Sequence, residues 1–76
     1  MAFYRADFEC KPDKSIEIES DYYNADNDDE AIRWAKDDEG RGVDFADIGH
    51  VDIELVQIYE VNENEETFPE IRCIWC

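Results

Sequence analysis

The chain predicts an α+β fold of order β-β-α-β-β, an antiparallel sheet with one helix packed on one face, with residues 1–76 forming a single compact domain. Three observations carry this. Two N-terminal stretches alternate apolar and polar residues with period two, the mark of half-buried strands. Between Asn27 and Glu39 the apolar residues recur at helical spacing behind a capping signal. Two further strand-like runs, around Val51–Val61 and Thr67–Trp75, follow the helix.

In the first strand Ala2, Tyr4, Ala6, Phe8 and Cys10 share one face, and Phe3, Arg5, Asp7 and Glu9 the other. Lys11-Pro12-Asp13-Lys14 is a turn, because Pro sets φ and Asp bonds its own backbone. Ile16 to Tyr23 alternates again, with Ile16, Ile18 and Tyr22 inward and Glu17, Glu19 and Asp21 outward, so the two runs are expected to form a hairpin. Asn27 is the expected N-cap, with Glu30 closing a capping box. Asp28, Asp29 and Glu30 lie where the helix dipole favours negative charge. Ala31, Ile32, Trp34 and Ala35 form the apolar stripe, and the helix is expected to stop near Glu39 with Gly40 in the left-handed position. Its acidic last turn, Asp37-Asp38-Glu39, opposes the dipole and has no folding rationale.

Gly40-Arg41-Gly42 is a flexible break. Val43 to Gly49 is expected as a loop or short helical turn anchored by Phe45 and Ile48. Val51–Val61 carries apolar residues on both parities. That predicts either a central strand covered on both sides or a bulge near Leu55–Val56. Asn62 to Glu65 is a hairpin turn. Thr67–Trp75 is the last strand, with Ile71, Cys73 and Trp75 on one face and Pro69 marking an edge or a strand start. The sheet face away from the helix is expected to carry Glu17, Glu19, Asp21, Asp52 and Glu54.

Composition narrows the function. Hydrophobic residues at 43 % supply a core, yet Asp plus Glu number 22 against 7 Lys plus Arg, a net charge of −15. Such a charge opposes compaction by self-repulsion, and small domains ordinarily carry about 2 to 8. It disfavours nucleic acid as a direct partner and an anionic membrane surface. No apolar run approaches the length of a bilayer span, and the N-terminus lacks the apolar segment of a signal peptide. Three cysteines are an odd number without a paired framework, so a reduced, cytoplasmic protein is expected.

No nucleophile elbow or phosphate loop occurs, and His50 is the single histidine, so no enzyme is expected. Cys73-Ile74-Trp75-Cys76 matches Cys-x-x-Cys, but in a strand its two thiols point to opposite faces, and the expectation is small hydrophobic filling. Zinc would find only Cys10 and His50 as further ligands. Asp26 to Glu30 resembles a calcium loop but lacks its central glycine. No cofactor or metal is expected.

The acids themselves are the functional signal. Glu17 to Glu30 holds seven carboxylates and no Lys or Arg, and Asp37 to Glu66 holds eleven acids against Arg41 alone. A solvated face is one meaning of such a run. The other is a decoy for nucleic acid. Same-face strand residues repeat at about 6.6 Å, near two steps of about 3.4 Å along a DNA strand. The candidate partner-binding residues are Glu17, Glu19, Asp21, Asp26, Asp28, Asp29 and Glu30, followed by Asp37, Asp38 and Glu39. The partner would be a basic nucleic-acid-binding protein met by a monomer or weak dimer. The alternative is a non-catalytic interaction domain using an apolar sheet face around Phe3, Tyr59 and Trp75, or a strand edge.

A strand pair followed by Asn-Asp-Asp-Glu-Ala-Ile-Arg-Trp-Ala-Lys (27–36), together with size and charge, resembles the phage-encoded anti-CRISPR proteins. The resemblance implies a stoichiometric inhibitor, acting in the host cytoplasm. It would bind the DNA-binding surface of a Cas effector, in particular a multisubunit surveillance complex, and block target DNA. It assigns no individual residue.

Overall fold

Strand β1 (Ala2–Cys10) is the strand to which the rest is attached, and a computed structural model describes residues 2–76 around it. Its alternation places Tyr4, Ala6, Phe8 and Cys10 in the core. β1 pairs antiparallel with β2 (Asp21–Ala25) on one side and β5 (Ile53–Val61) on the other. With β6 (Glu70–Trp75) they make a sheet of order β2-β1-β5-β6. Helix α1 (Asp28–Arg41) covers one face through Ala31 and Ala35, whose small side chains bring it close to the sheet. β3 (Val43–Phe45) and β4 (Gly49–Val51) form a separate hairpin. The molecule is therefore strand-rich α+β with one helix packed on an antiparallel sheet. No helix among the described residues is long and apolar enough to cross a membrane.

The N-cap is as predicted: Asn27 Oδ1 accepts the Glu30 N–H at 2.9 Å. The Glu30 carboxylate returns to the N–H of Asp26 at 3.3 Å, one residue before the cap. The far end differs from expectation. The helix continues through Gly40 to Arg41, and Gly42, at φ 70°, is the capping residue, donating its N–H to Asp38 O at 3.2 Å. Gly42 is required twice over: its φ is left-handed, and a Cβ there would lie 2.6 Å from Val51 O. Val43 to Gly49 belongs to a hairpin with its turn at 46–48, so of the two expected anchors Ile48 is 51 % exposed and Phe45 packs on the core, where Val43 joins it.

The predicted first hairpin is corrected more heavily. Only Asp21–Ala25 pairs with β1, and residues 17–20 run outside the sheet. The register Ala2↔Ala25, Tyr4↔Tyr23 and Ala6↔Asp21 turns Asp21, Tyr23 and Ala25 to the helix side. Tyr22 faces away instead of inward, 46 % exposed. Ile16 and Ile18 still reach the core, but from irregular chain.

Of the two alternatives for the long strand the bulge holds: β5 is central in the sheet but covered by the helix on one face only, and the pairings Asp7↔Gln57 and Phe8↔Leu55 leave Val56 as a bulge. Two further shifts against β6, Ile58↔Trp75 beside Tyr59↔Cys73 and Glu60↔Arg72 beside Val61↔Glu70, separate Trp75 from Cys73. The expected common face of Ile71, Cys73 and Trp75 is thus split. Trp75 stands on the helix side under Lys36 Nζ, 4.9 Å from the ring centroid. β6 is an edge strand entered just after Pro69, as the proline predicts.

Candidate acidic interface

The acids sort into those that the fold uses and those that it leaves to solvent. Asp28 is used. Its carboxylate accepts the Tyr4 hydroxyl at 2.7 Å and two Arg72 N–H groups at 2.8 and 2.9 Å, while Arg72 Nε reaches Glu60 at 2.8 Å. The Arg72 guanidinium and the Tyr4 hydroxyl hold the Asp28 carboxyl below the usual range. Burial, then the Asp28 contact, pushes the Tyr4 phenol up to about 12. Glu30 closes the helix start, as above. Glu39 Oε2 accepts the Leu55 N–H at 2.6 Å, next to the bulge at Val56. This is the folding reason for an acid in the last helical turn. Asp38 accepts the Tyr23 hydroxyl at 2.5 Å and pairs with Arg41. Asp28 and Asp38 are thus largely neutralised within the molecule, contrary to the expectation that the whole set faces a partner.

Glu17, Glu19, Asp26 and Asp29 are exposed, and so is Asp37 on the helix. Glu17 and Glu19 are not in a strand. The regular carboxylate spacing expected along Glu17, Glu19 and Asp21 therefore does not exist.

A different arrangement takes its place. The 17–21 segment, the C-terminal turn of α1 and the β3 strand enclose a groove of about 600 Å³. Glu17, Glu19, Asp21, Asp38 and Asp44 line it, with Arg41 the one cation among its described lining residues. Phe8 and Ile53, both buried, and half-buried Ile18, Val43 and Phe45 supply its apolar part. Asp21 shows the electrostatics: it is exposed overall, but partial desolvation inside the groove, with repulsion from Glu19, lifts its carboxyl above the usual range against the pull of Arg41. Burial and the Asp21 charge likewise push the Tyr23 phenol up to about 12.

Asp26, Asn27, Asp28 and Asp29 line a shallower, more open depression with Glu60 and Arg72. The ten predicted residues therefore do not form one face: Glu17, Glu19, Asp21 and Asp38 line the groove, Asp26, Asp28 and Asp29 the depression, and Glu30, Asp37 and Glu39 neither. Asp44 and the apolar lining were missed. The period-two triplet Val43-Asp44-Phe45 after Gly42 was the available signal for a short strand there.

On the open sheet face Phe3, Tyr22 and Phe68 meet with ring centroids 5.4–5.6 Å apart. Arg5 lies 5.3 Å over the Tyr59 ring and pairs with Asp7 and Glu70. Glu54 stands on this face opposite Glu9, whereas Asp21 belongs to the helix side and Asp52 lies between β4 and β5. Cys73 and Cys76 form a disulfide, and Cys10 is buried and free. The predicted thiol separation fails because β6 shifts register around Ile74 and ends at Trp75, leaving Cys76 outside the ladder. His50 Nδ1 lies 2.9 Å from Asp44 Oδ1. Among the described residues no group of three or more His, Cys, Asp or Glu side chains is arranged to hold a metal ion. No protein-family model, characterised protein or solved structure matches this chain.

Proposed function

We propose that this protein is a non-enzymatic acidic inhibitor that occupies the nucleic-acid-binding surface of a basic protein. The observation that carries the reading is the convergence of Glu17, Glu19, Asp21 and Asp44 on one groove whose single guanidinium, Arg41, is already paired with Asp38. A basic surface meeting this groove would release its own counterions and pair Arg or Lys with carboxylates, as it does with phosphates. Convergence replaces regular spacing as the basis of the mimicry. The resemblance to anti-CRISPR proteins makes a Cas effector complex the first partner to test.

The experiment is competition. The protein is added to a Cas surveillance complex and its target DNA, and DNA retention is measured along a salt series. Inhibition should weaken steeply with salt, because charge pairs are screened over about 10 Å at 0.1 M. Glu17→Lys, Glu19→Lys and Asp21→Lys together should remove it with the fold intact, since all three side chains are exposed. Inhibition that survives the triple change would refute the assignment of this groove.

The aromatic cluster of Phe3, Tyr22 and Phe68 supports a second reading, an interaction domain that binds through its open sheet face. Association through that face would be insensitive to salt and lost in Tyr22→Ala.

A further inference from the structure

The groove sets two requirements on whatever fills it. Its accessible apolar surface comes from half-buried Ile18, Val43 and Phe45, with Phe8 and Ile53 beneath. Its carboxylates lie on the same side of the sheet and come from two separate segments, Glu17, Glu19 and Asp21 from one and Asp44 from the other. An occupant must therefore present apolar and cationic groups in one direction. It must also satisfy its own backbone. The edge of β1 beyond Ala6 is covered by the chain itself: Ser20 Oγ donates to Asp7 at 2.6 Å, and Ile16 and Ile18 pack on the core.

We infer that this groove takes a basic amphipathic helix of a partner protein. Its apolar stripe rests on Ile18, Val43 and Phe45, and the Arg or Lys flanking that stripe reach the carboxylates. The inference rests on the reading above that the acids engage a basic protein, and it names the element they engage. A helix makes its backbone hydrogen bonds internally, so it needs no strand edge. At about 100° per residue, positions next to an apolar stripe point to its two flanks rather than away from it. An extended strand turns alternate residues to opposite sides and cannot do this. Arg and Lys also lay their stems along apolar surface while the charged head reaches outward. A helix is about 10–12 Å across with its side chains, so only one face of it enters a groove of about 600 Å³. The other occupants fit worse. Nucleic acid is repelled by the carboxylates. A second copy brings another −15 of charge. A metal ion finds no set of three donors among the described residues.

The test uses three alanine-rich peptides of about 18 residues, long enough to form helix in water. The first carries leucines along one stripe with arginines on both flanks. The second has the same composition with the arginines opposite the leucines. The third has serine for leucine. Each is titrated into the labelled 76-residue chain. Amide shifts of the protein report the contact, and Cα shifts of labelled peptide report its helix. The first peptide should bind as a helix, with shifts centred on Ile18, Asp44 and Phe45. The other two should bind roughly tenfold or more weakly, from the lost apolar burial. Glu17→Lys with Glu19→Lys, and separately Asp44→Lys, should weaken the first peptide. Glu63→Lys with Glu65→Lys, a change of charge at exposed positions outside the groove, should alter it little at 0.15 M salt, where charges beyond about 8 Å are screened. Equal binding of the three peptides, an extended bound peptide, or shifts centred on Phe3, Tyr22 and Phe68 would overturn the helix proposal. The competition experiment above separates the two claims. Loss of inhibition in the lysine triple variant with no helix bound leaves the acidic inhibitor standing and removes this inference. Helix binding without any competition for DNA does the reverse.

Discussion

At the scale of single residues, acids in this chain are not interchangeable. Asp28 links the helix start to β1 and β6 through Tyr4 and Arg72. Tyr4 is 1 % exposed, so Asp28→Ala leaves a buried hydroxyl without its partner, at a cost of about 1–3 kcal/mol. Tyr4→Phe removes the donor and leaves Asp28 to Arg72, and should cost about 0.5–1.5 kcal/mol. Urea unfolding of the two variants should rank them in that order. The pH dependence follows from the same contact. A carboxyl held low in the folded state stabilises fully above its ordinary pKa of about 3.9, and that contribution disappears as pH falls through the lowered value. Asp7 acts in the same sense: burial raises it, but hydrogen bonds from Ser20, Gln57 and Arg5 more than offset this. The stability gap between wild type and Asp28→Asn should therefore close on going from pH 7 to below the lowered value. Asp21 has the opposite sign. Its carboxyl is raised, so its charge destabilises the fold at neutral pH. Asp21→Asn should raise the melting temperature at pH 7 while weakening the proposed binding in the groove, a stability–activity trade.

At the scale of elements, the helix ends decide where the groove lies. The cap at Gly42 brings β3 under the last helical turn, which places Asp38 and Asp44 on one rim. Gly42→Ala meets Val51 O at 2.6 Å in a left-handed backbone and should unfold the hairpin or the whole domain. Gly40→Ala meets nothing within 4 Å inside the helix and should stabilise by about 0.5–1 kcal/mol. Thermal melts of the pair distinguish a helix ending at Arg41 from one ending at Glu39. Asn27→Ala should cost about 0.5–2 kcal/mol for the lost cap. At the other face, Phe68 has a positive φ of 48°, unusual for a bulky residue. Its ring closes the cluster with Phe3 and Tyr22.

At the scale of the molecule, the balance of charge sets both stability and binding. With a net −15 the folded state repels itself. Added salt at low concentration should raise the melting temperature by screening, over the same range in which it weakens the proposed association. A melting temperature that falls with salt would mean that the internal pairs of Arg5, Arg41 and Arg72 outweigh the repulsion.

Two features of this protein follow from local chemistry alone. The core face of β1 and the N-cap at Asn27 depend on neighbours within a few positions, and period and capping specify them, whereas the doubled parity of Val51–Val61 and Pro69 each left two alternatives open. The tertiary structure decided the rest, because each remaining feature depends on what lies across from it. The register of β2 on β1 turned Tyr22 outward and left Glu17 and Glu19 off the sheet. The backbone of Val51 selected Gly42 over Gly40. Long-range partners, Arg72 for Asp28 and the Leu55 N–H for Glu39, separated structural acids from free ones. A sequence shows how many carboxylates there are, but which of them remain available for a partner is set only when distant parts of the chain take up their share.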